Sequence, residues 1–180
     1  TDEFADLYAE ELKAEGGVIS GEQFVDECQV ESDLELLLPA TYVTGSSERM
    51  LLYRELDSLT LDKDVEDFRT RLIDRFGPIP SETEELLRIV PLRRLAARLG
   101  AEKVFLKGGR MSLFFVSNPD SPYYQSQAFG KVIAYMMKYT RRCDLREQNT
   151  RRSMLVKDVK NVETAVSVLQ EIVAMQVEEG

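Results

Sequence analysis

Nine residues, Leu72-Ile73-Asp74-Arg75-Phe76-Gly77-Pro78-Ile79-Pro80, leave this chain few paths to follow. They stop one amphipathic helix, turn, and start another. Gly77 stands where a helix needs a C′ residue that accepts positive φ, and Pro78 follows because it cannot extend the helix it ends. Ser81 then offers an N-cap oxygen with Glu84 three residues on, the spacing of a capping box. The helix that ends here starts at Asp62 and carries Val65, Phe68, Leu72 and Phe76 on one apolar stripe, with Arg71, Asp74 and Arg75 at its border or in solvent. The helix that begins runs from Ser81 to Leu99, presents Leu86, Ile89 or Val90, Leu95 and Leu99, and stops at Gly100. Pro91 interrupts it, deletes a backbone hydrogen bond, and is expected to kink it or divide it in two.

Upstream, Phe4, Leu7, Tyr8 and Leu12 recur at helical spacing and Gly16-Gly17 ends the pattern, so residues 1–23 read as an opening helix and linker, the tail of a preceding domain. Cys28, Val30, Leu34, Leu36 and Leu38 alternate with acids from Glu27 onward, predicting a half-buried strand over 27–38 that Pro39 closes. Ser46 or Ser47 is expected to cap a helix reaching about Asp57. Beyond Gly100 the order is Val104–Leu106, a Gly108-Gly109 turn, Met111–Val116, a Pro-containing loop, and a helix through Phe129, Val132, Ile133 and Met136 that ends near Tyr139. A second hairpin, Arg142–Glu147 and Arg152–Val159 around Gln148-Asn149-Thr150, precedes a helix capped by Asn161. This is a ββαββα-like half, with no sequence identity between its two copies, preceded by a strand and a helical segment. Local hairpins of this kind favour an antiparallel sheet covered by helices, an α+β fold occupying 24–180 as one domain.

Charge is segregated along the chain. Residues 1–85 hold 7 basic and 23 acidic side chains, residues 86–160 hold 16 and 5, and the last twenty hold four acids and no base, for a net charge of −9. The overall acidity argues against broad, sequence-independent duplex binding, while segregation can steer a partner of opposite sign. A chain that starts at Thr1 reads as a fragment or a processed protein. No run approaches the ~18 apolar residues of a membrane span, and nothing at the start reads as a signal peptide, so a cytoplasmic location without membrane contact is expected. Cys28 and Cys143 lie far apart in apolar-alternating segments, without a CxxC, and are expected to be free and buried.

The catalytic inventory is thin. No histidine is present, so Ser-His and Cys-His nucleophile designs are excluded. No glycine is followed by Lys-Ser or Lys-Thr, so a Walker-type phosphate loop is absent. Asp62, Asp64, Glu66 and Asp67 cluster, yet they occupy the first turn of a helix, where acids meet the positive end of its dipole. No catalytic, cofactor or metal residue is assigned. Basic residues gather around the second hairpin, Arg141, Arg142, Arg146, Arg151 and Arg152 among them, after Tyr123, Tyr124, Tyr135 and Tyr139. Two readings stand: a solvated basic face, or a surface in the 131–160 region for nucleic acid or an acidic protein partner.

The Leu72–Pro80 wording, with Leu38-Pro39-Ala40-Thr41-Tyr42-Val43 and Arg49-Met50-Leu51-Leu52-Tyr53-Arg54 upstream, resembles the C-terminal domain of bacterial transcription-repair coupling factors. The resemblance is carried by residues 34–100. It implies a non-catalytic regulatory domain of a DNA translocase that displaces stalled RNA polymerase and recruits nucleotide excision repair. ATP and magnesium would serve motor domains outside this chain. The domain would pack on an N-terminal UvrB-like module of the same parent and mask recruitment of UvrA. By position, Asp74 and Arg75 inherit charged contacts to that basic module. Arg71 stands where the family commonly has an acid, and Pro91 also departs from the pattern of its helix.

Overall fold

Alternation of apolar residues with polar ones builds the sheet, and punctuation by glycine and proline sets where each piece ends. The computed structural model describes residues 24–177; the predicted opening helix and linker at 1–23 lie outside them. In chain order the elements are β1 (Gln29–Ser32), α1 (Ser46–Ser58), α2 (Asp62–Phe76), α3 (Ser81–Leu87), α4 (Ile89–Arg98), β2 (Ala101–Lys107), β3 (Arg110–Phe115), a 3₁₀ turn (Pro122–Gln125), α5 (Gln127–Lys138), β4 (Cys143–Gln148), β5 (Arg151–Val156) and α6 (Val162–Ala174). The expected α+β class is what forms, matching the ββαββα order of the second half.

The five strands stand in the order β1-β2-β3-β5-β4. Four of them pair antiparallel through the two predicted hairpins. β1 corrects the purely antiparallel expectation, since it joins β2 in parallel, with Gln29 opposite Lys103 and Ser32 opposite Leu106. It is also far shorter than the 27–38 strand read from alternation. Leu38 leaves the ladder to enter a second hydrophobic cluster, so its burial comes from helices and not from a sheet.

One face of the sheet is covered. Val104 and Leu106 of β2, Met111, Leu113 and Phe115 of β3, and Met154 and Val156 of β5 are buried there among Leu92, Leu95 and Leu99, Val132 and Tyr135, and Val168, Leu169 and Ile172. The second cluster joins Leu38, Val43, Leu52, Leu56, Val65, Phe68, Leu72, Leu87 and Val90. Burial of Phe68 and Leu72, each 1% exposed, contributes roughly 1.5–3 kcal/mol apiece. α4 stands between the clusters, offering Val90 to one and Leu92 and Leu95 to the other.

Pro91 divides the predicted Ser81–Leu99 helix. Without an N–H it cannot bond to the Leu87 carbonyl four residues back, and the break falls at Arg88, which ends α3 and begins α4. Gly100 ends α4 at φ +85°, directly against Tyr123. Glu85 of α3 reaches the other cluster: its two carboxylate oxygens accept from the backbone N–H groups of Val162 (2.7 Å) and Glu163 (3.0 Å) at the start of α6. Asn161 caps that helix as predicted, its side chain accepting from Thr164 N at 2.7 Å.

Two predicted caps do not form. At α3 the N-cap is Pro80, Ser81 is already helical, and no side chain caps the end. Its hydroxyl donates to Glu82, and Glu84, instead of closing a capping box, binds both oxygens to Arg69 on α2. At α1 the N-cap is Gly45, so Ser46 and Ser47 lie inside the helix.

Candidate functional site

The three sequence segments that carry the family resemblance meet in space, held by side-chain-to-backbone hydrogen bonds. Thr83 is fully buried and donates its hydroxyl to Leu37 O at 2.8 Å; Leu38 N donates to Tyr53 Oη at 2.7 Å; Arg49 donates to Val43 O at 2.7 Å. The phenol of Tyr42 lies 2.8 Å from Gly77 O and 3.2 Å from Leu72 O, so its one proton serves the nearer carbonyl. Its ring also packs on Phe76, centroids 5.6 Å apart. An otherwise irregular loop, 37–45, is thereby fixed to α1, α2 and α3. The turn after α2 is fixed with it. Gly77 has φ +88° and ψ −163°, a region open almost only to glycine.

This scaffold presents one surface of α1 and α2. Arg71 donates to Glu55 and Arg75 to Glu48, so two ion pairs bridge the helices while they run in opposite directions. Each guanidinium also lies over a neighbouring ring: Arg71 5.5 Å from the Phe68 centroid, Arg75 4.9 Å from that of Phe76. The hydrogen bond it donates to Glu55 raises the Arg71 pKa further and holds it cationic. Asp74 is exposed and has no ion partner within 4 Å among the described residues. Leu51 (63% exposed) and Ile73 (46%) stand out as apolar side chains in solvent. The site is therefore an acidic, partly apolar surface on which the Asp74 carboxylate is uncompensated. Sequence reasoning placed Asp74, Arg75 and Arg71 here and missed Glu48 and Glu55. Their signal was present: Glu48 and Glu55 are seven residues apart, two helical turns, and so share one face of α1, as Arg71 and Arg75, four apart, share one of α2.

Residues of the predicted basic patch do not form one surface. Arg142 bonds inward to Lys157 O and Asp158 O and to the Tyr135 hydroxyl. Arg152 lies on the helix-covered side of the sheet, 4.3 Å over the Tyr124 ring and 3.8 Å from Glu147. Arg146 and Arg151 belong to the opposite side, and Arg141 is exposed after α5. Tyr123 and Tyr135 are buried, so the tyrosines are core and not a stacking surface. Of the clustered carboxylates, Asp62 takes a bidentate bond from Arg94 (2.7 and 2.9 Å) and Glu66 pairs with Arg69. Cys28 and Cys143 are free and buried, and burial pushes the Cys28 thiol up to about 12. No helix of the described residues is long and apolar enough to cross a membrane.

A family model described as the TRCF domain matches residues 32–126, just over half of the chain. The chain belongs to the TRCF domain family. The chain is 27% identical over 149 residues to the transcription-repair-coupling factor of Rickettsia typhi, covering 81% of this chain and 13% of that protein. The Rickettsia bellii factor is 29% identical over 150 residues, with 80% and 13% covered. The factor of Escherichia coli K12 is 32% identical over 78 residues, 43% of this chain and 7% of the relative. The chain thus spans about one-eighth of the length of the first two relatives. In fold the chain is similar to the solved C-terminal domain of a transcription-repair coupling factor, with a TM-score of 0.63, 17% identity, and coverage of 83% of this chain and 95% of that one. The match to the family model takes in every residue of the α1–α2 surface.

Proposed function

We propose that this chain is the non-catalytic regulatory domain of a transcription-repair coupling factor, an ATP-dependent DNA translocase of the cytoplasm that displaces stalled RNA polymerase and recruits excision repair. Its α1–α2 surface packs on the N-terminal UvrB-like module of the same parent and thereby masks recruitment of UvrA. ATP and magnesium serve motor parts that lie outside residues 1–180.

One observation carries the reading: Asp74 is exposed with no ion partner within 4 Å among the described residues, on a surface whose two arginines are already paired within the domain. A basic partner meets no repulsion from Arg71, because Glu55 holds it. The departure from the family's acid at that position is thus compensated by a neighbour on α1. Surface charge pairs worth roughly 0.2–1 kcal/mol each suit a latch that has to open.

The test is a titration of this chain against the UvrB-like module of its parent. Reversing the charge in Asp74→Arg removes one attraction and adds one repulsion, so affinity should fall about five- to thirtyfold, ~1–2 kcal/mol. Circular dichroism should not change, since Asp74 has no partner to lose. Equal affinity of the two forms would remove the assignment.

A further inference from the structure

The second side of the sheet is a surface of a different kind. Registers place Lys103, Phe105 and Lys107 of β2, Arg110, Ser112 and Phe114 of β3, Asp144 and Arg146 of β4, and Arg151, Ser153 and Leu155 of β5 on it, with Glu31 of β1 at the edge. Phe105 and Phe114 belong to neither hydrophobic cluster. They are half-buried and pack edge to face, centroids 5.3 Å apart, in the middle of the sheet. The residues opposite Phe105 and Phe114 are serines, Ser112 and Ser153, which keep the floor beside each ring low. Two adjoining concavities of about 390 and 410 Å³ meet at Ser112, Arg146 and Leu155.

Cations surround the rings. Lys107 stands 5.2 Å from the Phe105 centroid and Arg151 5.7 Å from that of Phe114. Five basic side chains share this face with Glu31 and Asp144, and Glu102 reaches Arg151 from the irregular start of β2. Lys107, Arg146 and Arg151 have carboxylates at 3.4–3.7 Å, whereas Lys103 and Arg110 have none within 4 Å among the described residues. In a chain of net charge −9 this is a local reversal of sign.

We infer that this open face is a binding platform for single-stranded nucleic acid, with bases on Phe105 and Phe114 and phosphates on Lys103, Arg110 and Arg146. Half-exposed rings on the open side of a sheet take bases because every base has a π-face, and flanking cations take the backbone. A duplex offers the rings no free base, and its dense phosphates would meet the acidic remainder of the chain. An acidic protein segment would satisfy the cations and leave the two rings without a reason to be uncovered. The face lies apart from the α1–α2 surface and does not depend on its assignment.

The experiment is fluorescence anisotropy with the whole chain and a labelled 12-mer of mixed sequence, single-stranded and as duplex, at 20 and 150 mM salt. Saturable binding that favours the single strand is expected, with log K falling against log salt at a slope of about −2 for three phosphate contacts. Phe114→Ala should weaken binding about tenfold or more. Because Phe114 is half-buried, Arg146→Glu, on an exposed side chain of the edge strand, provides a second readout and should weaken binding and flatten the salt slope with thermal stability kept. No saturable binding at 20 mM salt would overturn the inference. So would equal affinity for duplex, or unchanged affinity in both variants.

Discussion

Two glycines with nearly the same φ predict very different costs of a methyl group. Gly77 and Gly100 stand at φ +88° and +85°, and both end helices. An added Cβ at Gly77 meets nothing within 4 Å, so Gly77→Ala costs backbone strain alone, ~1–3 kcal/mol. At Gly100 the same Cβ overlaps Cε1 and Cζ of Tyr123 and stands 2.7 Å from its hydroxyl. Tyr123 has no exposed surface and donates its hydroxyl to Leu99 O, so its ring cannot swing aside. Overpacking adds ~1–3 kcal/mol to the strain. Gly100→Ala should therefore cost ~2–6 kcal/mol, and each kcal/mol lowers Tm by about 2–4 °C in a chain of this size. Urea unfolding of both variants gives the comparison, and a cycle with Tyr123→Leu isolates the clash. The double variant should be less destabilised than the sum of its singles by about 1–3 kcal/mol, because the leucine removes the atoms that collide. Equal costs at Gly77 and Gly100, or strict additivity with Tyr123→Leu, would refute the reasoning.

Other outcomes follow from buried polar groups. Thr83→Val keeps the shape and removes the donor to Leu37 O, so it should cost about 1–3 kcal/mol in chemical denaturation, with a lowered midpoint and an unchanged slope. Cys28 is neutral in the fold with its pKa raised to about 12, while the unfolded thiol ionises near 8.5. Above pH ~8.5 the unfolded state therefore binds fewer protons than the native one, and stability should fall as pH rises, by at most about 1.4 kcal/mol per pH unit from this thiol. Cys28→Ala should flatten that part of the pH profile. In native protein at pH 8, thiol reagents should modify Cys28 only at the rate of unfolding.

Local chemistry was readable where a residue's job is local. The stripe of Val65, Phe68 and Leu72 gave α2, Gly108-Gly109 and the segment around Asn149-Thr150 gave the hairpins, and Asn161 gave the start of α6. The capping box failed because Glu84 had a better offer of charge from Arg69, fifteen residues earlier in sequence and a neighbour only in the fold. β1 was overextended because alternation over 27–38 continues after the chain leaves the sheet, and its parallel partner lies some seventy residues away. The open face of the sheet was hidden by composition: Phe105 and Phe114 sit inside runs of apolar residues, where period-2 reading cannot say which side the helices will cover. The tyrosines and the hairpin arginines looked more exposed than they are for the converse reason, since burial of Tyr123 and Tyr135 is decided by elements around them.

The carboxylate of Glu85 ends two backbone N–H groups that α6 cannot satisfy by itself. The last helix of the chain is thus completed by a residue that precedes the whole sheet-forming half except β1. A shorter polypeptide starting at β2 would carry every strand of both hairpins and still lack this acceptor, leaving α6 to fray at its first turn. Conversely, the Glu85 carboxylate meets these two amides only when α6 has arrived. The two hydrophobic clusters therefore report on one another during folding: protection of the Val162 and Glu163 amides from hydrogen exchange should be lost together with the α3–α4 region, although almost eighty residues separate them in sequence.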